Sequence, residues 1–349
     1  MEEKIRSATN EALKALGAGD VTFAVEWPTD PSHGDFSVNA GLAGAKKLGE
    51  NPRELAEALA GSMRETLGGE ASKIEVAGAG FINVHLSREV IAKEILRAGS
   101  EGEAWGRGTE NEEKRISVEY SCPNPFKEMH IGHLMSTVIG ESVSRIIENS
   151  GATVIRDTYG GDVGPHVARV LWALRRDGVT DVAHASEVDK AYLQGARAYE
   201  ESETAKAEIE ALNQEIYKGE NRDLMELWRK CREVCLESFR ELYNVLGTTF
   251  DYYFFESEVT PIGMEVVQDG VAKGVFKESE GAVIYDGEKD GLHTLVFITS
   301  RGTPTYEAKE IGLAFYKEER IKSDEVIIET GAEQIGHFKV FLSALSQIA

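Results

Sequence analysis

The sequence predicts an α/β fold with a parallel, doubly wound sheet. Two short runs rich in β-branched residues, Arg115–Tyr120 and Ala152–Tyr159, read as buried strands, and each is followed by a helical pattern. The second helix, Pro165–Arg176, has proline at its first position and Gly178 just past its end, as helix ends favour. A β-α-β-α order of this kind is typical of a Rossmann-like sheet, which binds ligands at the carboxyl ends of its strands.

A small α+β domain is predicted before this sheet, over residues 1–110. Its sequence alternates between helical and strand patterns, and a Gly-rich, charged linker follows it. The predicted elements are helix Lys4–Leu16, strand Thr22–Trp27, a helical region Asp35–Leu67 that breaks near Asn51-Pro52, strand Ile74–Leu86, helix Glu89–Ala98 and linker Gly99–Lys114.

The second domain is predicted over residues 111–349 and contains a helical insertion at about 178–246. In this insertion a plausible apolar stripe is formed by Trp228, Cys231, Cys235, Phe239 and Leu242. We interpret its two cysteines as small core residues, because the three cysteines of the chain lack the paired spacing of a zinc site. Strand-like runs follow the insertion at Phe250–Glu256, Ala282–Tyr285, Leu295–Ile298 and Glu325–Ile328.

The most informative segment is Ser121–Leu134, which joins the first strand of this domain to a long helix. It places Asn124, Lys127, His130 and His133 at a constant spacing of three. The histidines fall in the first turn of the helix, where backbone N–H groups and the helix dipole attract anions. Gly132 leaves room for a flat ring to approach the backbone. These features predict a nucleotide site.

The long helix itself is predicted from its apolar residues, which recur every three or four positions along one face before Gly151 closes the pattern. These residues are Ile131, Leu134, Met135, Val138, Ile139, Val143, Ile146 and Ile147.

Composition limits the classes of function. The 38 Lys and Arg residues against 60 Asp and Glu residues give a formal net charge of −22, which argues against a broad nucleic-acid surface. No apolar run approaches the length of a membrane span, and Met1-Glu-Glu-Lys-Ile5 lacks a signal-peptide profile. We therefore expect a cytoplasmic protein without a membrane partner, whose RNA contacts, if any, are local.

The segment Ser-x-Pro-Asn-x-x-Lys-x-x-His-x-Gly-His resembles the signature of the arginyl-tRNA synthetases, a family of class I aminoacyl-tRNA synthetases. Segments His33–Asn39 and Val76–Val84 are similar to motifs of the small N-terminal domain peculiar to that family. Segments Gly302–Ile311 and Gly331–Phe338 agree with its catalytic domain in order and spacing. The resemblance covers the chain from about residue 20 to its end.

This resemblance implies an arginine–tRNA ligase that uses ATP, with Mg²⁺ accompanying the ATP and no protein-bound metal, and that acts on tRNA(Arg) as a monomer. Lys127, His130 and His133 are implied to be catalytic, and these three together with Gly132 are implied to bind ATP. By the same resemblance, the arginine backbone is held by Asn124 and His130, and its side chain by Glu256, Tyr306, Glu310 and Gln334.

The sequence also departs from the family pattern. Lys309-Glu310 stands where the family usually has Arg-Asp, and Glu258 could occupy the family position in place of Glu256. The sequence contains neither a Lys-Met-Ser-Lys-Ser-like segment nor the helical domain that reads the anticodon. We therefore interpret it as the N-terminal part of a longer enzyme and expect that residues 1–349 alone do not sustain arginylation. The alternatives are a non-catalytic module that binds tRNA or arginine, and another class I adenylate-forming ligase.

Overall fold

The computed structural model describes residues 1–349 and divides the chain into two compact units, Met1–Gly106 and Arg107–Ala349. The boundary falls within the segment that the sequence suggests as a linker, although a helix extends into that segment as far as Glu101. None of the helices is long and apolar enough to cross a membrane.

The first unit is a four-stranded antiparallel sheet, in the order β1-β2-β4-β3, packed with helices around an apolar core. Asn51 caps the third helix through its side chain, and Pro52 occupies the first helical position, which explains the predicted break. The elements are α1 (Glu2–Ala15), β1 (Val25–Glu26), β2 (Phe36–Val38), α2 (Ala40–Leu48), α3 (Pro52–Leu67), β3 (Ala71–Ala77), β4 (Phe81–Leu86) and α4 (Arg88–Glu101).

Two predictions for this unit are wrong in detail. The segment predicted as one strand, Ile74–Leu86, is a hairpin that turns at Gly78 and Gly80, both of which have positive φ. The segment predicted as helical from Asp35 begins instead with strand β2, whose alternating buried side chains are too few to give a clear period of two.

The second unit contains the parallel sheet, which confirms the predicted fold class. Its strand order is β11-β5-β6-β7, and every neighbouring pair is parallel. The elements from β5 to the edge strand β7 are β5 (Arg115–Glu119), α5 (Ile131–Asn149), β6 (Thr153–Gly160), α6 (Pro165–Arg176), α7 (Ala185–Glu201), α8 (Glu203–Lys218), α9 (Arg222–Leu246) and β7 (Tyr252–Phe255). Helices α7 to α9 form the predicted insertion, and Cys231 and Cys235 are buried free thiols in its core.

A second, antiparallel sheet of order β10-β9-β8 lies between β7 and the last parallel strand in sequence. The sequence indicates two of its strands but neither the third strand nor the helices around them. The remaining elements are α10 (Glu256–Ala272), β8 (Lys277–Ser279), β9 (Ala282–Tyr285), β10 (Leu295–Ile298), α11 (Tyr306–Arg320), β11 (Glu325–Ile328) and α12 (Ile335–Ile348).

Helix α5 is present as predicted, but much of its apolar face is exposed. The residues that α5 buries are instead small or polar, Thr137, Gly140, Glu141 and Ser144. Gly140 lies against the Tyr120 ring, where an added Cβ would come within 2.1 Å of Cγ. The exposed apolar residues are Ile131, Met135, Val138, Ile139 and Ile146, with Ile131 exposed by 72% and Ile146 by 70%.

A buried polar network holds α5 against the sheet. The Glu141 carboxylate accepts hydrogen bonds from Tyr120 Oη at 2.9 Å, Thr248 Oγ1 at 2.9 Å, Arg156 Nε at 2.9 Å and Arg145 Nε at 2.6 Å. Burial alone would raise the pKa of Glu141, but these donors, led by Arg156, lower it to about 2. The close fit at Gly140 and this network together explain why a polar face of α5 is the buried one.

Candidate active site

The loop between β5 and α5 is held in an unusual backbone conformation. Ser121, Cys122 and Phe126 all have φ between 47° and 71°, a left-handed region that costs non-glycine residues roughly 1–3 kcal/mol each. The surrounding structure stabilises it, because Cys122 N donates to Thr158 Oγ1 at 3.2 Å and the Phe126 ring is fully buried. Strain of this kind is concentrated at functional sites, and here the strained loop immediately precedes the histidine pair in sequence.

His130 and His133 cap the start of α5 with their own side chains. Gly132 N donates to His130 Nδ1 at 3.1 Å, and His130 N donates to His133 Nδ1 at 3.2 Å. The two rings stack with centroids 3.9 Å apart. Because Nδ1 accepts in both rings, each neutral imidazole carries its proton on Nε2, as a donor available to a ligand.

The pKa of His133 is lowered to about 4, first by burial and then by the proximity of His130 and Lys127. His133 is therefore neutral at pH 7. The pair consequently offers hydrogen-bond donors rather than a fixed double positive charge at the helix start.

A cavity of about 450 Å³ opens at this helix start, near the carboxyl ends of β5 and β6. Seven of the nine sequence-predicted site residues line it: Asn124, His130, Gly132, His133, Glu256, Tyr306 and Gln334. They come from four separate parts of the chain. Gln334 ends a short 3₁₀ turn, Ala332–Gln334, immediately before α12.

Lys127 and Glu310 do not line this cavity. Lys127 lines a neighbouring cavity of about 500 Å³ together with residues of α7 and α9. The resemblance implied that Lys127 acts beside the histidines, but Lys127 lies in the irregular loop before α5, so its spacing of three from His130 is not a helical repeat.

Asn124 and Glu256 meet on either side of Gly161. Asn124 Oδ1 accepts a hydrogen bond from Gly161 N at 2.8 Å, which leaves the Asn124 amide nitrogen as its free donor. A Cβ added at Gly161 would lie 2.9 Å from Asn124 Oδ1 and 3.3 Å from Glu256 Cδ. A larger residue at position 161 would therefore have to displace the Asn124 amide, which Gly161 N holds in place.

The structure distinguishes Glu256 from Glu258. Glu258 Oε2 accepts from Phe255 N at 3.1 Å and so caps α10, whereas Glu256 lines the cavity. Glu256 Oε2 is paired with Lys309 Nζ at 2.6 Å, and both side chains are largely buried. Burial opposes the charge of Lys309, but Glu256 raises the pKa of Lys309 above its usual value. Lys309 thus neutralises Glu256 internally.

Glu310 is 2% exposed, and its Oε1 has no hydrogen-bond partner. Burial, followed by the charge of Glu119, raises the pKa of Glu310 to about 8. Its carboxyl lines a second, mostly apolar cavity of about 420 Å³, and Glu119 lines both this cavity and the first. Glu310 therefore holds a proton at pH 7 that a cationic partner would displace.

Glu119 is a candidate functional residue that the sequence analysis did not identify. It is 4% exposed and pairs with Lys317 Nζ at 3.0 Å, and the same ammonium lies 2.6 Å from Asp157 Oδ1. The available signal was a carboxylate at the last position of a parallel strand, where ligands bind in such sheets. With Glu310, this end of the site holds three buried carboxyl groups around one ammonium.

Comparison with known proteins identifies the family of the chain. Residues 96–349 match the family model described as tRNA synthetases class I (R), catalytic domain, and residues 2–86 match the model of the arginyl tRNA synthetase N terminal domain. The arginine–tRNA ligase of Chromobacterium violaceum is 30% identical over 97% of this chain and 60% of its own length. That of Yersinia pseudotuberculosis is 33% identical over 94% of this chain and 58% of its own length.

Two solved structures share the fold. The arginyl-tRNA synthetase of Thermus thermophilus superposes with a TM-score of 0.75 at 22% identity, covering 100% of this chain and 63% of that protein. The enzyme of Plasmodium falciparum gives the same TM-score at 21% identity, covering 99% of this chain and 62% of that protein. The chain thus spans about 60% of the length of the relatives it matches.

Proposed function

The chain belongs to the arginyl-tRNA synthetase family, and from that premise we propose that it forms the arginine- and ATP-binding part of an arginine–tRNA ligase. The observation that carries the proposal is the contrast within one site. At the buried end, Glu119 lines the cavity and Glu310 lines the adjoining cavity that Glu119 also lines, so that carboxyl groups suited to a guanidinium meet there. The open end presents a helix start with two imidazole donors suited to phosphate.

The proposed reaction has two steps. An oxygen of the arginine carboxylate attacks the α-phosphorus of ATP, which forms arginyl-adenylate and releases pyrophosphate. A terminal ribose hydroxyl of tRNA(Arg) then attacks the arginyl carbonyl carbon, and AMP leaves. Neither step needs a protein nucleophile, so the protein contributes positioning and stabilisation of the developing charge.

In this proposal, His130, Gly132 and His133 receive the nucleotide, with the two Nε2–H groups directed to phosphate oxygens. Lys127 supplies positive charge from the neighbouring cavity, as a flexible ammonium that can follow a moving phosphate. Mg²⁺ enters with ATP.

The amino-acid side of the site would use Asn124 and His130 near the substrate backbone. Glu256, which the resemblance implies at the arginine side chain, lies across Gly161 from Asn124 and is paired with Lys309, so we place it near the substrate backbone instead. Tyr306, Gln334 and Glu310 would surround its side chain, with Glu119 as the additional carboxylate. The guanidinium would displace the proton held by Glu310 and form charge-assisted hydrogen bonds.

The partners in the proposal are arginine, ATP and tRNA(Arg), in the cytoplasm, with the protein acting as a monomer. Residues 1–110 are the proposed tRNA-contacting domain.

A ligand panel tests the proposal on the chain itself. We expect calorimetry to show arginine binding, with citrulline, its neutral isostere, weaker by at least ~10²-fold, because a buried carboxylate then loses its charged partner. Lysine should also be weaker, since it lacks the planar fork. Equal affinity for arginine and citrulline would contradict the proposal.

Catalysis is tested in a chain completed with the C-terminal part of one of the relatives. His130→Ala and His133→Ala should each lower arginine-dependent adenylate formation by about 10²-fold, comparable to the loss of one preorganised donor. The control is His293→Ala, at an exposed position outside the cavity. Arginine binding without adenylate formation in the completed chain would favour the non-catalytic module instead.

A further inference from the structure

Asp162 is a fully buried carboxylate that does not line the cavity. It follows β6 in the turn Gly160–Gly164, and its side chain accepts three hydrogen bonds. Oδ1 accepts from Ser257 N at 2.8 Å, and Oδ2 accepts from Ser257 Oγ at 2.8 Å and from Arg232 at 3.0 Å. Burial raises the pKa of Asp162, while the charge of Arg232 opposes that rise. The carboxylate therefore depends on its cation to remain ionised.

Two residues of α9 hold Asp162 from the side of the helical insertion. Arg232 bonds the carboxylate, and its guanidinium carbon lies 3.8 Å from the centre of the Phe255 ring. Trp228, one turn earlier, donates from Nε1 to the Asp162 carbonyl oxygen at 2.8 Å. Neither Arg232 nor Trp228 lines the cavity, so neither can touch a ligand there.

The residues next to Asp162 and Ser257 do line the cavity. Gly161, which precedes Asp162, is hydrogen-bonded to Asn124, and Glu256 immediately precedes Ser257. The Asp162 carboxylate thus ties the chain at Gly161 to the chain at Glu256. Rotation or protonation of that carboxylate would remove this tie.

We propose that Arg232 is a positioning residue for the amino-acid side of the site, acting through Asp162 on Gly161 and Glu256. Because Arg232 belongs to α9, the helical insertion would then support arginine binding without contacting arginine. The proposal rests on the proposed function, because that function assigns Asn124 and Glu256, the two side chains that flank Gly161, to the substrate backbone. The nucleotide side depends on the start of α5, which Asp162 does not contact, so arginine affinity should change without ATP affinity.

The experiment compares Arg232→Gln with Arg229→Gln in the whole chain. Arg229 lies on the same helix, but its side chain is 50% exposed and pairs with Glu226 and Glu233. Arg232→Gln should weaken arginine binding by about 10-fold, as expected for the loss of one charge-assisted hydrogen bond, and should leave ATP affinity within about 2-fold of the wild type. Arg229→Gln should change neither affinity.

Arg232→Lys provides the rescue, because an ammonium can still pair with Asp162. It should recover most of the arginine affinity, whereas a general packing defect would persist or worsen. A Gln variant that binds arginine like the wild type, or that loses ATP equally, would overturn the proposal.

Amide hydrogen exchange separates this inference from the proposed function. In the unliganded chain, Arg232→Gln should speed exchange in the Gly160–Gly164 turn, and Arg229→Gln should not. If exchange is faster in Arg232→Gln but the wild-type chain does not bind arginine, the tie through Asp162 is supported and the proposed function is rejected. Unchanged exchange would reject the tie itself.

Discussion

The two ends of the candidate site differ in how their polar groups are held. The open end consists of His130, Gly132 and His133, which lie within one tetrapeptide and are partly in contact with solvent. The buried end consists of Glu119 and Glu310, which are almost fully buried and come from a strand and a helix far apart in sequence, together with Tyr306, which is 40% exposed and begins that helix. An imidazole pair with free Nε2–H donors favours an anion, and a cluster with more carboxyl groups than ammonium groups favours a cation.

This difference explains why the open end was the easier one to predict. A short segment at a helix start carries its chemistry in its local order. The buried end depends on which strand end lies beside which helix. Variants at each end should therefore affect different ligands, and a variant of Glu141, which holds α5 to the sheet outside the cavity, should affect mainly stability.

The largest expected effect concerns the polar network that holds the open end in place. Glu141→Ala removes the carboxylate that joins α5 to Arg156, Tyr120 and Thr248, and should lower the free energy of unfolding by ~3–5 kcal/mol, since buried charges lose their partner. Chemical denaturation measures it.

The matched control is Ile146→Ala on the same helix. Ile146 is 70% exposed, so this change should cost less than ~0.5 kcal/mol. If Ile146→Ala proved as destabilising as Glu141→Ala, the apolar side of α5 would be buried and the orientation described here would be wrong.

The same network has a predictable pH dependence. The folded pKa of Glu141 is lowered to about 2, below the ordinary value of 4.5. Its contribution to stability is therefore complete above pH 4.5 and is lost as the pH falls from 4.5 towards 2. Between pH 4.5 and 2, the free energy of unfolding should fall less in Glu141→Ala than in the wild type. An identical fall in both proteins would show that Glu141 is not responsible for the acid sensitivity.

At the buried end, Glu310→Gln should weaken arginine binding by about 10²-fold or more and leave ATP unchanged, because it removes a charged partner of the guanidinium while keeping the shape. Calorimetry with each ligand checks both halves of the prediction. Glu319→Gln, an exposed change on the same helix, is the control. A loss shared equally by arginine and ATP would indicate damage to the fold rather than a guanidinium contact.

At the open end, His133→Asn should weaken ATP binding by about 10-fold, as expected for one lost hydrogen bond to a charged group, and should leave arginine affinity within about 2-fold of the wild type. Calorimetric titrations with ATP and with arginine measure the two affinities. An arginine loss as large as the ATP loss would mean that the two ends are not separable.

The fold was predictable where hydrophobic periodicity and local ordering agree. Helix α6 has both, and it buries Val167, Val170, Leu171 and Leu174 as its pattern indicates. Helix α5 shows the same kind of pattern but buries its other side, because Glu141 accepts hydrogen bonds from three largely buried donors outside this helix, Tyr120, Arg156 and Thr248. Periodicity detects a helix, but it does not show which face is buried when a polar face is fully hydrogen-bonded.

The candidate site was likewise predictable in part. Seven of nine residues converge on one cavity. The pairing of Lys309 with Glu256, the position of Lys127 in a neighbouring cavity and the contribution of Glu119 all depend on tertiary contacts between segments 50 or more residues apart or on an irregular loop. No local pattern encodes these contacts.

The most direct test of the central claim, that the buried carboxyl cluster binds the guanidinium of arginine, is arginine calorimetry from pH 6 to 9. The pKa of Glu310 is raised to about 8 in the unliganded chain, so binding should release close to one proton at pH 7, and affinity should rise up to about 10-fold per pH unit below 8 and then level off. Glu310→Gln should abolish both the proton release and the slope. Arginine binding that is independent of pH and releases no proton in the wild type would contradict the claim.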